Sequence, residues 1–157
     1  MMLNKDYSDM LSLFIEKKVD FILVGAYAMA VHGYPRSTLD IDFWIKPEKG
    51  NAERVYEALQ DFGAPLSGIS EGDLCNEDIV FQIGVEPRRI DIITSISGLL
   101  FDEAYANCAE KEFNGFSIKV LSLSDLIKNK KTSGRLKDLA DVEELERILK
   151  ENEDPVN

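Results

Sequence analysis

The sequence predicts a single α/β (α+β) domain, a mixed β-sheet flanked by helices with further helices at its C-terminal end. Three observations predict it. The chain has 157 residues, 45% of them hydrophobic and 30% charged, which suits one soluble domain with a true core. Period-two strand-like runs alternate along it with helical stretches spaced three and four apart. Turn signals join some neighbouring strand-like runs directly, so part of the sheet is antiparallel. There is no repeat or long linker. Residues 1–157 therefore read as one unit, with a core over about 19–121 and a helical part over about 122–151.

Each element has its own cause. Tyr7, Met10, Leu11 and Phe14 form one helical stripe. Val19 to Val24 reads as a buried strand that Gly25 ends, and residues 26–32 as a short helix broken at His32-Gly33-Tyr34-Pro35. From Thr38 to Lys46 the pattern alternates, with Leu39, Ile41, Phe43 and Ile45 on one face and Asp40, Asp42 and Trp44 on the other. Ala52, Val55, Tyr56, Leu59 and Phe62 mark a second helix with Gly63 as its C-terminal cap. Residues 64–77 look irregular. Asp78–Ile83 and Arg88–Thr94 read as a hairpin, and a short helix follows around Phe101–Cys108. Asn114-Gly115 signals a tight turn into a strand carrying Phe116, Ile118 and Val120. Ser122 to Asp125 resembles a capping box for a helix reaching about Thr132. Leu136, Leu139, Val142, Leu145 and Leu149 carry the last helix.

Several function classes drop out. No apolar run is long enough to span a membrane, and the N-terminus lacks the apolar stretch of a signal peptide. Cys75 and Cys108 are far apart and unpatterned, which points to a reducing cytoplasm. With His32 the only histidine, a Cys/His structural metal site has too few ligands. The net charge of −11 repels nucleic acid unless one face is locally basic. Residues 128–137 supply such a stretch, with five basic residues and no acids, whereas residues 138–157 hold eight acids and two bases. Both stretches also fit ordinary solvated helix faces.

The sharpest feature is Asp40-Ile41-Asp42. Aspartate is disfavoured in strands, and two on one face repel each other. Two residues of strand rise span roughly 6.6 Å, so both carboxylates can converge on one point. A divalent cation turns that repulsion into binding, and hard oxygen ligands suit magnesium. The bland alternative is an edge strand with incidental acids. Asp91 is a third acid set among β-branched residues, in Arg89-Ile90-Asp91-Ile92. It needs a cation, a metal or an open cleft, and Arg88 or Arg89 could supply the cation. If the three acids meet, they suit phosphoryl or nucleotidyl transfer, where two ions can stabilise the attacking and leaving oxygens. Gly25, between a strand and a helix, lets backbone N–H groups approach a phosphate, although such a glycine is often only a turn.

Gly25-Ala26, thirteen residues, Asp40-Ile41-Asp42 and the later strand acid Asp91 together resemble the DNA polymerase β-like nucleotidyltransferase superfamily. Arg36, Thr38, Lys130 and the run Arg135-Leu136-Lys137-Asp138-Leu139-Ala140-Asp141 resemble more closely its small bacterial members related to abortive-infection and toxin–antitoxin systems. The resemblance covers roughly residues 19–145. It implies a nucleotidyltransferase-like sheet and a cytoplasmic, ATP- or other NTP-using transferase with magnesium, two ions being possible. Asp40, Asp42 and Asp91 would hold the metal and carry catalysis, Asp91 orienting or deprotonating an acceptor hydroxyl. Gly25, Ala26, Arg36, Thr38, Lys130 and Lys137 would bind the nucleotide. Asp138 and Asp141 would hold the last helix or position Arg135 and Lys137.

Ala26 stands where the superfamily has glycine or serine, so it keeps the N–H but lacks a hydroxyl. Two functions follow. One is transfer of a nucleoside monophosphate from NTP to a hydroxyl on a protein, an RNA or a small molecule. The other is a weakly catalytic or inactive module of antitoxin type that binds a toxin or antitoxin partner. Blander roles remain for several residues. Trp44 fits an aromatic covering the sheet, His32 a turn residue and Tyr27 core packing. Lys137, Asp138 and Asp141 fit local ion pairs worth ~0.2–0.5 kcal/mol each. Among Lys128, Lys130 and Lys131, one or none points inward.

Overall fold

The computed structural model describes residues 3–35, 40–85 and 88–153. Helix α1 (Lys5–Glu16) starts at Asn4, whose side chain accepts a hydrogen bond from the Tyr7 N–H, and buries the predicted stripe of Tyr7, Met10, Leu11 and Phe14. Strand β1 (Phe21–Val24) runs straight into α2 (Gly25–Val31). Then come β2 (Ile41–Ile45) and α3 (Lys49–Phe62), which ends on Gly63 at φ 88° in a left-handed cap. A single 3-10 turn at Asp73–Cys75 interrupts the irregular segment. The hairpin β3 (Val80–Ile83) and β4 (Ile90–Ile93), helix α4 (Phe101–Asn107), and the hairpin β5 (Ala109–Phe113) and β6 (Phe116–Val120) follow. Helices α5 (Leu123–Ser133) and α6 (Leu136–Glu153) finish the described chain.

Six strands form one sheet in the order β3-β4-β2-β1-β6-β5. The pairs β2–β4 and β1–β6 are parallel and the other three are antiparallel, so the sheet is mixed as the sequence predicts. Its two faces differ. On one, Phe43 packs edge-on against Phe21 and against Phe14 of α1, and Phe14 meets Phe21 at a tilt, with ring centres 5.4–5.6 Å apart. On the other, Trp44 is buried beneath Phe101 of α4 and donates its indole N–H to the Thr94 carbonyl at 3.2 Å. Trp44 thus covers the sheet. Tyr27 packs edge-on against Tyr7 and Phe113, and His32 ends α2 with its Nε2 2.8 Å from the Leu121 carbonyl.

The register at the chemically interesting end is fixed from the far end. Asn51, fully buried in α3, accepts from the Asp20 N–H at 2.7 Å and donates to the Asp20 and Lys46 carbonyls. One side chain thereby closes the β1–β2 ladder where its strands part. With Phe21 opposite Ile45 there, Val24 falls opposite Asp42. Ser122 accepts from the Asp125 N–H as in a capping box, but the Asp125 Oδ2 atom is buried without a partner, so only half of the box forms.

Three expectations need correction, and one falls outside the described residues. Strand β2 begins at Ile41, so Asp40 lies just ahead of it and not within it. The expected residues Arg36, Thr38 and Leu39 lie outside the described residues. Strand β5 has no counterpart in the sequence reading. Its Glu110, Lys111 and Glu112 hide the alternation, because at a sheet edge polar side chains face water and Glu110 pairs across to Lys119 at 3.2 Å. The buried face of α6 is Asp138, Asp141, Val142, Leu145 and Ile148, while Leu136 is 88% and Leu139 47% exposed. The helix turns its aspartates inward to meet Lys130, so its first turn shows its leucines to solvent. Both cysteines are free. Among the described residues no helix is long and apolar enough to cross a membrane.

Candidate active site

The parallel pairing of β2 with β4 sets Asp42 directly opposite Asp91. Opposed residues in a ladder share a face, so both carboxylates leave the sheet on the Trp44 side. Burial, a shared hydrogen bond with Asp91 and the negative charges of Asp91 and Asp40 push the Asp42 carboxyl from an ordinary 3.8 up to about 7. Gly25, at φ 69° in the left-handed region, sits against the same side chain. A Cβ there would collide with the Asp42 Oδ2 atom, so the close approach of the β1–α2 turn to the acid requires glycine.

Arg89, immediately before β4, joins the other two acids. Its Nε donates to Asp91 Oδ1 at 2.7 Å and its Nη2 to Asp91 Oδ2 at 3.1 Å, a bidentate fork. The same Nη2 lies 3.2 Å from Asp40 Oδ2, while Asp40 Oδ1 accepts from the Arg89 backbone N–H at 3.1 Å. The sheet wall therefore holds three carboxylates and one guanidinium. Among the described residues no three acidic, histidine or cysteine side chains are grouped as a metal-ligand set, and Nη2 bridges two of these acids.

Across a cleft of about 400 Å3 stands a wall of opposite sign. Val24, Gly25, Ala26, Met29 and Asp42 line one side, and Asn129, Lys130, Arg135, Lys137 and Asp141 the other. Lys130, 14% exposed, lies 3.3 Å from both Asp138 and Asp141. Asp138 also accepts from Ser133 Oγ at 2.5 Å and from Arg135 Nε at 2.7 Å. Burial opposes ionisation of Asp138, but Ser133, Arg135 and Lys130 outweigh it and hold the carboxyl down at about 2. Tyr34 donates to Asp141. Of the lysines at the end of α5, Lys130 turns inward, whereas Lys131 reaches out to Glu146 at 2.7 Å.

Asp42, Gly25, Ala26, Lys130 and Lys137 thus come together around one cleft. Asp40 and Asp91 join it through Arg89 and through the Asp42–Asp91 contact. Sequence reasoning offered Arg88 or Arg89 as a cation for Asp91, and Arg89 fills that role, but it did not foresee that the same guanidinium bridges to Asp40. It had Asp138 and Asp141 holding the last helix, positioning Arg135 and Lys137 or making local ion pairs, but did not name Lys130 as the buried partner they share.

The family of nucleotidyl transferases of unknown function (DUF2204) matches residues 3–157. The chain belongs to this family. No curated protein matches it. Among solved structures it resembles the lincosamide antibiotic adenylyltransferase LnuA in its lincomycin-bound form, at 18% identity and a TM-score of 0.58. That match covers 94% of this chain and 98% of LnuA. A second is TM1012 of Thermotoga maritima, a candidate nucleotidyltransferase, at 19% identity and a TM-score of 0.52 over 96% of each chain. These likenesses establish a nucleotidyltransferase-like fold.

Proposed function

We propose that the chain transfers a nucleoside monophosphate from an NTP to an acceptor hydroxyl and releases pyrophosphate. The observation that carries this reading is the opposition of charge across the cleft. Asp42 lines the cleft across from Lys130, Arg135 and Lys137, with Asp91 paired beside it in the sheet. An acidic wall suits a divalent cation, and a basic wall suits a triphosphate.

The acids fit such a cation by their chemistry. They offer only hard oxygen donors, Asp42 makes no direct ion pair among the described residues although Arg89 acts on it at longer range, and burial and like charge push its carboxyl upward. Asp40, Asp42 and Asp91 would hold one or two magnesium ions, which supply Lewis-acid stabilisation of phosphate oxygens when bound. The residues of the chain do the rest. Gly25 and Ala26 bring backbone close to the triphosphate, and Lys130, Arg135 and Lys137 neutralise its oxygens. Arg36 and Thr38 complete the nucleotide site in this reading. The acceptor oxygen bonds to the α-phosphorus, the α–β bridging bond breaks, and pyrophosphate leaves. In this reading the acceptor proton passes to a carboxylate oxygen of Asp91, which orients or deprotonates the hydroxyl. The acceptor hydroxyl belongs to a protein, an RNA end or a small molecule, and the reaction is cytoplasmic.

A second reading rests on one observation. Arg89 already neutralises two of the acids, as suits an antitoxin-type binding module that recognises nucleotide or a toxin partner without turnover. Pyrophosphate release with each NTP and magnesium, over a panel of acceptors, separates the two. Transfer predicts release with at least one NTP and a loss of about a hundredfold or more in Asp42→Asn, the range for removing a transition-state group. Tight nucleotide binding without release from any acceptor establishes the binding module instead.

A further inference from the structure

The Arg89 side chain occupies the place between acids that a metal ion would need. Both oxygens of Asp91 are taken by its fork, and its Nη2 atom bridges Asp91 Oδ2 and Asp40 Oδ2 at 3.1 and 3.2 Å. A cation held between Asp40 and Asp91 would compete with that fork for the same carboxylate oxygens. We propose that Arg89 is a built-in counter-cation, and that metal loading is an exchange in which a divalent ion displaces its guanidinium from Asp40 and Asp91. The inference rests on the transferase reading of the same acids.

Three features make the exchange workable. The Arg89 backbone is pinned independently of its side chain. Its carbonyl accepts from the Tyr7 hydroxyl at 3.2 Å and from the Ile41 N–H at 3.0 Å, and its N–H donates to Asp40. The guanidinium can therefore leave without disturbing the β2–β4 register that sets Asp42 against Asp91. The side chain is 21% exposed, so it has a route to water, where a guanidinium is well solvated. The charges also favour the exchange, because one positive charge leaves three carboxylates under-neutralised and a divalent ion supplies two. Without metal, Arg89 keeps the acids together. With metal it is surplus, and it is free to meet the phosphates that arrive with the ion.

The test uses the full chain, stripped of metal and titrated with Mn2+ alone, free ion being read by electron paramagnetic resonance. Wild type, Arg89→Gln, Arg89→Lys and Asp42→Asn are compared. Arg89→Gln is expected to bind Mn2+ about tenfold more tightly than wild type, a change of about 1.4 kcal/mol, with Arg89→Lys between them. Its metal-free melting temperature falls below wild type and is recovered by saturating Mn2+. Equal or weaker Mn2+ binding by Arg89→Gln, with wild-type binding abolished in Asp42→Asn, overturns the exchange and leaves the transferase reading standing. If neither wild type nor Arg89→Gln binds Mn2+ better than Asp42→Asn does, both fall. A measurement on wild type needs no variant to fold. The Arg89 Nε–H resonance, protected in the metal-free protein, is expected to shift and lose protection at saturating Mg2+, and an unchanged resonance overturns the proposal.

Discussion

The two walls of the cleft use the same residue types to opposite ends. On the sheet wall, Asp40, Asp42 and Asp91 outnumber Arg89, and Asp42 is pushed up to about 7. On the helix wall, Asp138 and Asp141 meet Lys130 and Arg135, and Asp138 is held down at about 2. The difference lies in the partners, since desolvation acts to raise both carboxyls. A buried carboxylate opposite carboxylates stores repulsion that an incoming cation can relieve. One that accepts from a hydroxyl, a guanidinium and an ammonium is satisfied and serves as framework. The sheet wall is therefore the part built to change its charge state, and the helix wall the part built to stay.

The two walls also respond to pH with opposite sign. A folded-state value below the ordinary 3.8 means that Asp138 stabilises the fold above about pH 4, and that this contribution is lost as pH falls toward 2. A value raised to about 7 means that Asp42 costs least below pH 4, and that its cost grows as pH rises through 7.

The largest effect is expected from breaking the helix wall. Asp138→Ala removes the acceptor shared by Ser133, Arg135 and Lys130, and leaves Lys130 with Asp141. Removing one member of a buried ionic network costs about 3 kcal/mol, so the urea midpoint at pH 7 should fall clearly. Comparison at several pH values sharpens the point, since the gap to wild type should narrow as pH drops from about 4 toward 2. A gap independent of pH would mean that Asp138 contributes by packing and not by charge.

Most of the sheet, but less of the cleft, was legible in the sequence. The stripe of α1 was readable because burial there follows a helical period, and β2 because its apolar residues alternate with acids, although Trp44 is buried on the acid face as well. The same logic misread α6. Leucine spacing pointed to Leu136 and Leu139, but inward aspartates stabilised by cations from α5 set the rotation of that first turn. Ion pairing between elements has no sequence period, so no pattern announces it. Asn51 was invisible for a related reason. Its role depends on two carbonyls and an N–H that come within reach only after β1 and β2 have paired. Among the acids, Asp40, Asp42 and Asp91 were recognisable by their type among β-branched residues, and Arg89 as a neighbour of Asp91, whereas its bridge to Asp40 required knowing that β4 lies beside β2.

A smaller effect is expected where the β1–α2 turn meets the sheet wall. Gly25→Ala places a methyl group against the Asp42 carboxylate and strains a left-handed residue, at a cost of about 1–2 kcal/mol. The displacement falls on Asp42, so Mn2+ affinity should drop more than the melting temperature does. A variant with wild-type Mn2+ binding would show that the turn and the acid move independently.

The smallest structural effect belongs to Lys137. It lines the cleft on the first turn of α6, is exposed, and has no ion-pair partner among the described residues, unlike Lys130 and Arg135 beside it. Because no intramolecular contact depends on its ammonium group, Lys137→Ala should leave stability within about 0.5 kcal/mol of wild type. Its charge is for the same reason the one on that wall whose interaction with a ligand costs no internal pair. NTP affinity, measured calorimetrically at low salt, should fall about three- to tenfold, and the difference should shrink as salt is added. An unchanged affinity would leave the helix wall to act on the nucleotide only through Lys130 and Arg135, whose charges Asp138 and Asp141 already share.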